Sequence, residues 1–197
     1  MREYIDNIFE ESLELHKKIT GDVRIKEILE KMAKTIANAF LNGNKLLIFG
    51  NGGSAGDAQH IAAEFGCRFE MERPPLPAIA LTTDSSLLTA IGNDYNYTDV
   101  FEKPVAALAN KGDVVWGIST SGNSENVLKG LKRALKNDCS VIGFSGRDGG
   151  KMTGLCDSLL VINSKSTARI QEAHIMCGHV ICGLVDEIMF GKYSGSN

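Results

Sequence analysis

Five short apolar runs punctuate the chain: residues 45–49 (KLLIF), 78–81 (AIAL), 114–119 (VVWGIS), 140–144 (SVIGF) and 159–162 (LLVI). Strands that are apolar on both faces need cover on both faces, and a parallel sheet flanked by helices supplies it. Helical patterns follow the runs at 54–65, 85–92, 124–136 and after 162, while the fourth run leads into a loop. This alternation predicts an α/β fold, a doubly wound five-stranded parallel sheet with helices on each side. Ligands of such sheets sit beyond the carboxyl ends of the strands. Two more helical patterns, 5–19 and 23–41, precede the first run, the second ending at Asn42-Gly43. Their apolar residues exceed what a sheet already covered by its own helices can bury, so they are expected to serve in oligomerisation.

A chain of 197 residues suits one domain, in which folding removes roughly 70% of the unfolded surface from water. It is read as a single domain over 1–197, with N-terminal helices 1–43, an α/β core 44–192 and a short tail 193–197 that frays. The net charge of −3 comes with scattered Lys and Arg, which leaves no basic surplus for nucleic acid. Five cysteines without a CxxC pair point to reduced thiols packed as small apolar residues, not to disulfides or a zinc ribbon. Residues 1–18 lack the apolar stretch of a signal peptide, and no apolar run nears the ~20 residues of a membrane span. A cytoplasmic protein without a membrane partner is expected. Residues 68–77 (RFEMERPPLP), rich in proline and charge, are too short to link separate domains and read as a surface loop.

Two loops carry the clearest chemistry. Gly50-Asn51-Gly52-Gly53-Ser54 follows the first run and opens a helix, so backbone N–H groups and the helix dipole converge on an anion there. The glycines let the backbone approach closely, and Asn51 offers an amide to a sugar hydroxyl. Ser119-Thr120-Ser121-Gly122-Asn123-Ser124 occupies the same position after the third run and adds four hydroxyls. Hydroxyls and helix-start amides bind phosphate without a cation. Neither loop is GxxxxGK[ST] or GxGxxG, so nucleotide triphosphates and dinucleotides fit less well than a phosphomonoester on a small molecule. A tight strand-to-helix turn and a pair of well-capped helix starts are the structural alternatives.

The loops, their order and the five-strand frame resemble the sugar isomerase (SIS) family, with its flavodoxin-like core. Within it, GNGGSAGDAQHIAAE, RPPLPAIALTTD, IGND, GISTSGNS, GRDGGKM and TARIQEAHIMCGH resemble the phosphoheptose isomerases in detail from residue 45 to 190. STSGNS marks only the broad family; its combination with His60, Glu64, Gln171 and His179 is far more specific. The resemblance implies interconversion of sedoheptulose 7-phosphate and D-glycero-D-manno-heptose 7-phosphate through an enediol, a first step towards nucleotide-activated heptose. It also implies a homotetramer with sites between subunits. A non-catalytic regulatory protein resembling the DnaA initiator-associating protein shares much of the pattern; Gly53, Glu64 and Ser121-Gly122 favour the enzyme. A sensor of sugar phosphates is the third alternative, and would need a fused module.

His60 and Glu64 are spaced i, i+4, and Gln171 and His179 i, i+8, so each pair shares one helix face. By spacing alone His60–Glu64 reads as a surface ion pair. The resemblance makes His60, Glu64, Gln171 and His179 ligands of one Zn2+ per subunit, with Glu64 as base and His179 as acid. It places sugar contacts at Asn51, Gly52, Gly53, Asn93, Asp94 and Gln171, phosphate contacts at Ser119, Thr120, Ser121 and Ser124, and further contacts at Ser54 and Arg68. Gly92-Asn93-Asp94 reads equally as the turn ending a helix. His174, about 140° from His179 on the helix, is expected outside the site, and His16 on the surface or in packing. Where some members carry an acidic residue, this chain has Ala168, which enlarges the role of Glu64.

Overall fold

The computed structural model describes residues 1–191, so the tail 193–197 lies outside the described residues. The elements run α1 (Arg2–Gly21), α2 (Val23–Leu41), β1 (Leu46–Gly50), α3 (Gly53–Gly66), β2 (Ala78–Ala80), α4 (Ser85–Asp94), α5 (Glu102–Leu108), β3 (Val114–Ser119), α6 (Glu125–Lys136), β4 (Ser140–Gly146), β5 (Ser158–Ile162) and α7 (Thr167–Met189). Single 3-10 turns lie at Tyr97–Asp99 and Gly150–Met152. The five strands form one parallel sheet in the order β2-β1-β3-β4-β5.

Side chains alternate across the pleat, so one strand feeds two cores. Leu46 and Ile48 enter a core with Met32, Ile36, Phe65, Trp116, Phe144 and Ile181, covered by α2, α3 and α7. Leu47 and Phe49 enter the opposite core with Phe101, Val105, Leu131 and Val141, covered by α4, α5 and α6. Trp116 meets Phe144 edge-on at 4.7 Å, and Phe49 stacks on Phe101 at 4.8 Å, both favoured aromatic geometries. α1 packs on α2 and α7 but leaves Ile5, Phe9 and Leu13 exposed at i, i+4, i+8.

The strand order makes β1 and β3 neighbours from which the chain departs in opposite directions, the crevice where such sheets bind ligands. Gly50 pairs in register with Ile118, so the turns after β1 and β3 open side by side. The structure departs from the sequence reading at several places, two of which bear on the site's surroundings. α5 is an additional helix, seven residues long with Pro104 in its first turn, where a missing N–H costs nothing. Residues 68–77 are not wholly a surface loop, because Arg73 and Leu76 are buried.

Candidate active site

The first loop is tight by necessity. A Cβ on Gly50 would stand 2.7 Å from the Ser54 Cβ and 2.8 Å from the Ile118 carbonyl oxygen, and Gly52 has φ +56°. Asp22, Asp84 and Ser166 cap α2, α4 and α7 through their side chains, whereas no side chain caps the start of α3 or α6. At the start of α3 the Ser54 and Ala55 N–H groups turn back to the Asn51 and Gly52 carbonyls at 3.0 Å, and in α6 the Val127 N–H goes to Asn126 Oδ1 at 2.9 Å, which leaves the N–H groups of Gly53, Glu125 and Asn126 for a ligand. In the second loop Ser119 is buried and donates to Ser124 Oγ at 2.9 Å. Thr120, Ser121 and Ser124 are partly exposed. Gly122 has φ +65°, and a Cβ there would strike the Gly149 backbone. Behind this loop, Met152 N–H donates to the Gly122 carbonyl at 3.2 Å and Lys151 N–H to Asn123 Oδ1 at 3.1 Å.

A reciprocal amide pair locks the two loops together. Asn51 Nδ2 donates to Asn126 Oδ1 at 2.9 Å, Asn126 Nδ2 donates back at 2.8 Å, and the Tyr97 hydroxyl donates to Asn51 Oδ1 at 3.3 Å. The Asn51 amide expected to serve a sugar hydroxyl is thus already engaged, with one N–H left over. Sequence reasoning missed both Asn126 and Tyr97. The available signal was an asparagine two residues after Ser124 at a position the helix buries.

A second cluster joins α3 to α7. His60 Nε2 lies 2.9 Å from His179 Nε2 and 3.4 Å from Glu64 Oε1. One donor atom from each of the three lies within 4.8 Å of the others, the one such grouping of His, Cys, Asp and Glu among the described residues. Two imidazole nitrogens facing each other at this distance must share a proton or a cation. Two nitrogens and a carboxylate oxygen suit zinc, whose bonds to them are about 2.0–2.2 Å. Phe69 stacks on His179, with ring centroids 5.5 Å apart and planes at 20°. The Gln171 amide lies against Gly53, where a Cβ would come within 2.9 Å of its Cδ, so Gln171 joins α7 to the first loop.

The remaining candidate and titratable residues occupy varied positions. Burial raises the Asp57 carboxyl to about 6, opposed by His60 one turn along α3. His174 is fully buried beside Phe144, as far from the cluster's chemistry as the helical period suggested. Its Nε2 donates to the Ser145 carbonyl at 3.0 Å, and burial lowers its pKa to about 4. His16 is half-buried on α1, its Nδ1 2.7 Å from the Ser12 carbonyl. Asn93 and Asp94 end α4, bonded to each other at 2.8 Å and exposed. Arg68 is exposed beside Glu72 at 3.6 Å, and Ala168 is exposed in the first turn of α7. Cys139, Cys177 and Cys182 are buried free thiols.

A flavodoxin-like sheet with two uncapped Gly/Ser loops at its switch point defines an α/β domain of the sugar isomerase class, and the SIS domain family model matches residues 9–146. The chain is 46% identical to the phosphoheptose isomerase of Clostridium acetobutylicum over 98% of both chains. It is 52% identical to that of Aquifex aeolicus over 96% of this chain and 98% of the relative. The solved phosphoheptose isomerase of Francisella tularensis superposes with a TM-score of 0.90 at 37% identity, covering 94% of this chain and 97% of that one. The chain belongs to the phosphoheptose isomerase family.

Proposed function

We propose that this protein interconverts sedoheptulose 7-phosphate and D-glycero-D-manno-heptose 7-phosphate in the cytoplasm. The observation that carries the reading is the convergence of His60, Glu64 and His179 on the helices that leave and face two phosphate-type loops. The phosphate end rests on the hydroxyls of Thr120, Ser121 and Ser124, with Ser119 fixing Ser124, and on the N–H groups of Gly53, Glu125 and Asn126 at the two helix starts. Asn51, Gly52, Gly53, Ser54, Arg68, Asn93, Asp94 and Gln171 line the sugar's path.

Glu64 takes the proton from C1 of the ketose, and His179 gives one to the C2 oxygen, yielding the enediol. Returning a proton to C2 and removing one from the C1 oxygen completes the aldose, with no net change in protons. His179 turns Nε2 toward His60, so Nδ1 is the ring nitrogen left for this transfer. A zinc ion held by His60, Glu64, Gln171 and His179 would polarise the carbonyl and stabilise the developing negative charge.

The exposed stripe Ile5, Phe9 and Leu13 and the half-open cluster, whose His60 side chain is 50% exposed, support a homotetramer that completes each site at a subunit interface. Incubating purified protein with sedoheptulose 7-phosphate and following the product by NMR tests the reading. Formation of the aldose 7-phosphate, lost on chelation and restored by zinc, is expected. Binding of the sugar phosphate without any conversion would reject the enzyme in favour of a regulatory SIS protein.

A further inference from the structure

The stretch 68–77 carries the most buried cation of the described residues, and neither the phosphate loops nor the proton transfers use it. The Arg73 guanidinium is 1% exposed and its partner Asp186 2%, with Nε to Oδ1 at 2.9 Å. Its remaining donors go to backbone at the end of α3: Nη2 to the Glu64 carbonyl at 2.8 Å, and Nη1 to the carbonyls of Phe65 at 2.8 Å and Cys67 at 3.1 Å. A third acceptor for Nη1 is the Pro74 carbonyl at 3.1 Å.

Carbonyls of a last helical turn lack partners within the helix, and a cation there satisfies them and the dipole together. Arg73 does so for α3 at the residue that bears the Glu64 carboxylate. Its other end reaches Asp186, seven residues after His179 on α7, and seven residues is two turns within about 20° of one face. One rigid fork therefore spans the two helices whose side chains must meet. Stability alone gives a poor reason for it, since well-packed apolar residues in place of a buried ion pair are often neutral or stabilising. The same stretch lays Phe69 flat on His179, so both sides of the cluster are fixed from it.

We propose that Arg73, with Asp186, is a positioning residue that sets the distance between Glu64 and His179 by clamping the end of α3 to α7. The inference rests on the isomerase reading above and deepens it. Arg73 touches no reacting atom; it acts through the Glu64 backbone and through α7. The planar fork is required, because a lysine ammonium cannot serve Asp186 and the helix carbonyls in fixed directions at once.

The test compares the native protein with Arg73→Lys, Arg73→Met and the apolar pair Arg73→Met/Asp186→Leu. Thermal unfolding, kcat and KM for sedoheptulose 7-phosphate, and zinc affinity by chelator competition are measured for each. Arg73→Met leaves a carboxylate buried and unpaired and is expected to misfold; the apolar pair restores folding. That pair removes both buried charges but leaves the Glu64 and Cys67 carbonyls without their donor, so a cooperative unfolding transition at a lower temperature, kcat lowered about 10²-fold, KM within about threefold, and zinc affinity lowered about tenfold or more are expected. Arg73→Lys also folds and keeps the low kcat. A folded apolar pair with native kcat and zinc affinity would reduce Arg73 to a structural cap and overturn the inference alone. An unfolded apolar pair together with a fully active Arg73→Lys would also overturn it, and a native protein without turnover would overturn both readings.

Discussion

Gly53→Ala separates function from stability at one atom. Gly53 is the first residue of α3 and its φ lies outside the left-handed region, so alanine suits the backbone and gains helix propensity. Its Cβ would strike Gln171 Nε2 and stand 2.9 Å from Cδ and 3.2 Å from Oε1. Ordinary contacts are about 3.5–4.0 Å, so the amide must retreat by more than about 1 Å. The atoms that yield are the far end of a flexible side chain, and unfolding should change by less than about 1 kcal/mol. A shift of that size within a reacting assembly costs on the order of 10²-fold in rate. Gly56→Ala is the control: it lies on the same helix and its Cβ would meet nothing within 4 Å. Denaturant unfolding and steady-state kinetics on both variants are the assay. Gly53→Ala with native kcat and KM would refute the placement of Gln171 against the substrate loop.

His174 gives a pH prediction. Its folded pKa, about 4, is below the ordinary 6.5, so the unfolded chain binds the proton first. Stability from the neutral ring is complete above pH 6.5 and is lost as pH falls towards 4, by about 3 kcal/mol in all. His174→Leu should flatten denaturant midpoints across that window, and parallel profiles would contradict the assignment. Gly122→Ala forces a side chain into a left-handed conformation against the Gly149 carbonyl. It should destabilise by more than about 2 kcal/mol and raise KM; native values for both would contradict the phosphate role of this loop. If the proposed tetramer forms through the stripe on α1, Phe9→Glu should dissociate it, measured by sedimentation, and abolish turnover, whereas a fully active monomer would overturn shared sites.

Much of the fold was legible because the informative residues are local. Runs such as KLLIF are buried on both faces, and a run of that kind has few alternatives to a central parallel strand. β4 extends to Gly146 because that glycine sits within the sheet beside Ile170, although in sequence it resembles the start of a turn. The loops were visible through glycine and hydroxyl content, but the Asn51–Asn126 lock was not, since it joins residues 75 apart. His60 and Glu64 announce a shared face; that His179 meets them depends on how α7 crosses α3, which no local pattern encodes. Arg73 was hidden by its neighbours, because a charged, proline-rich stretch reads as solvated and burial of one member depends on Asp186 over a hundred residues away.

Solvent deuterium read at carbon tests the role of Glu64 most directly. In D2O the native enzyme should place deuterium at C2 of the heptose and at C1 of recovered ketose, as an enediol with an exchanging base requires. Glu64→Gln keeps the phosphate loops and should still bind sedoheptulose 7-phosphate, while both exchange and turnover fall about 10²–10⁴-fold. Exchange at the native rate in Glu64→Gln would contradict Glu64 as the base between C1 and C2.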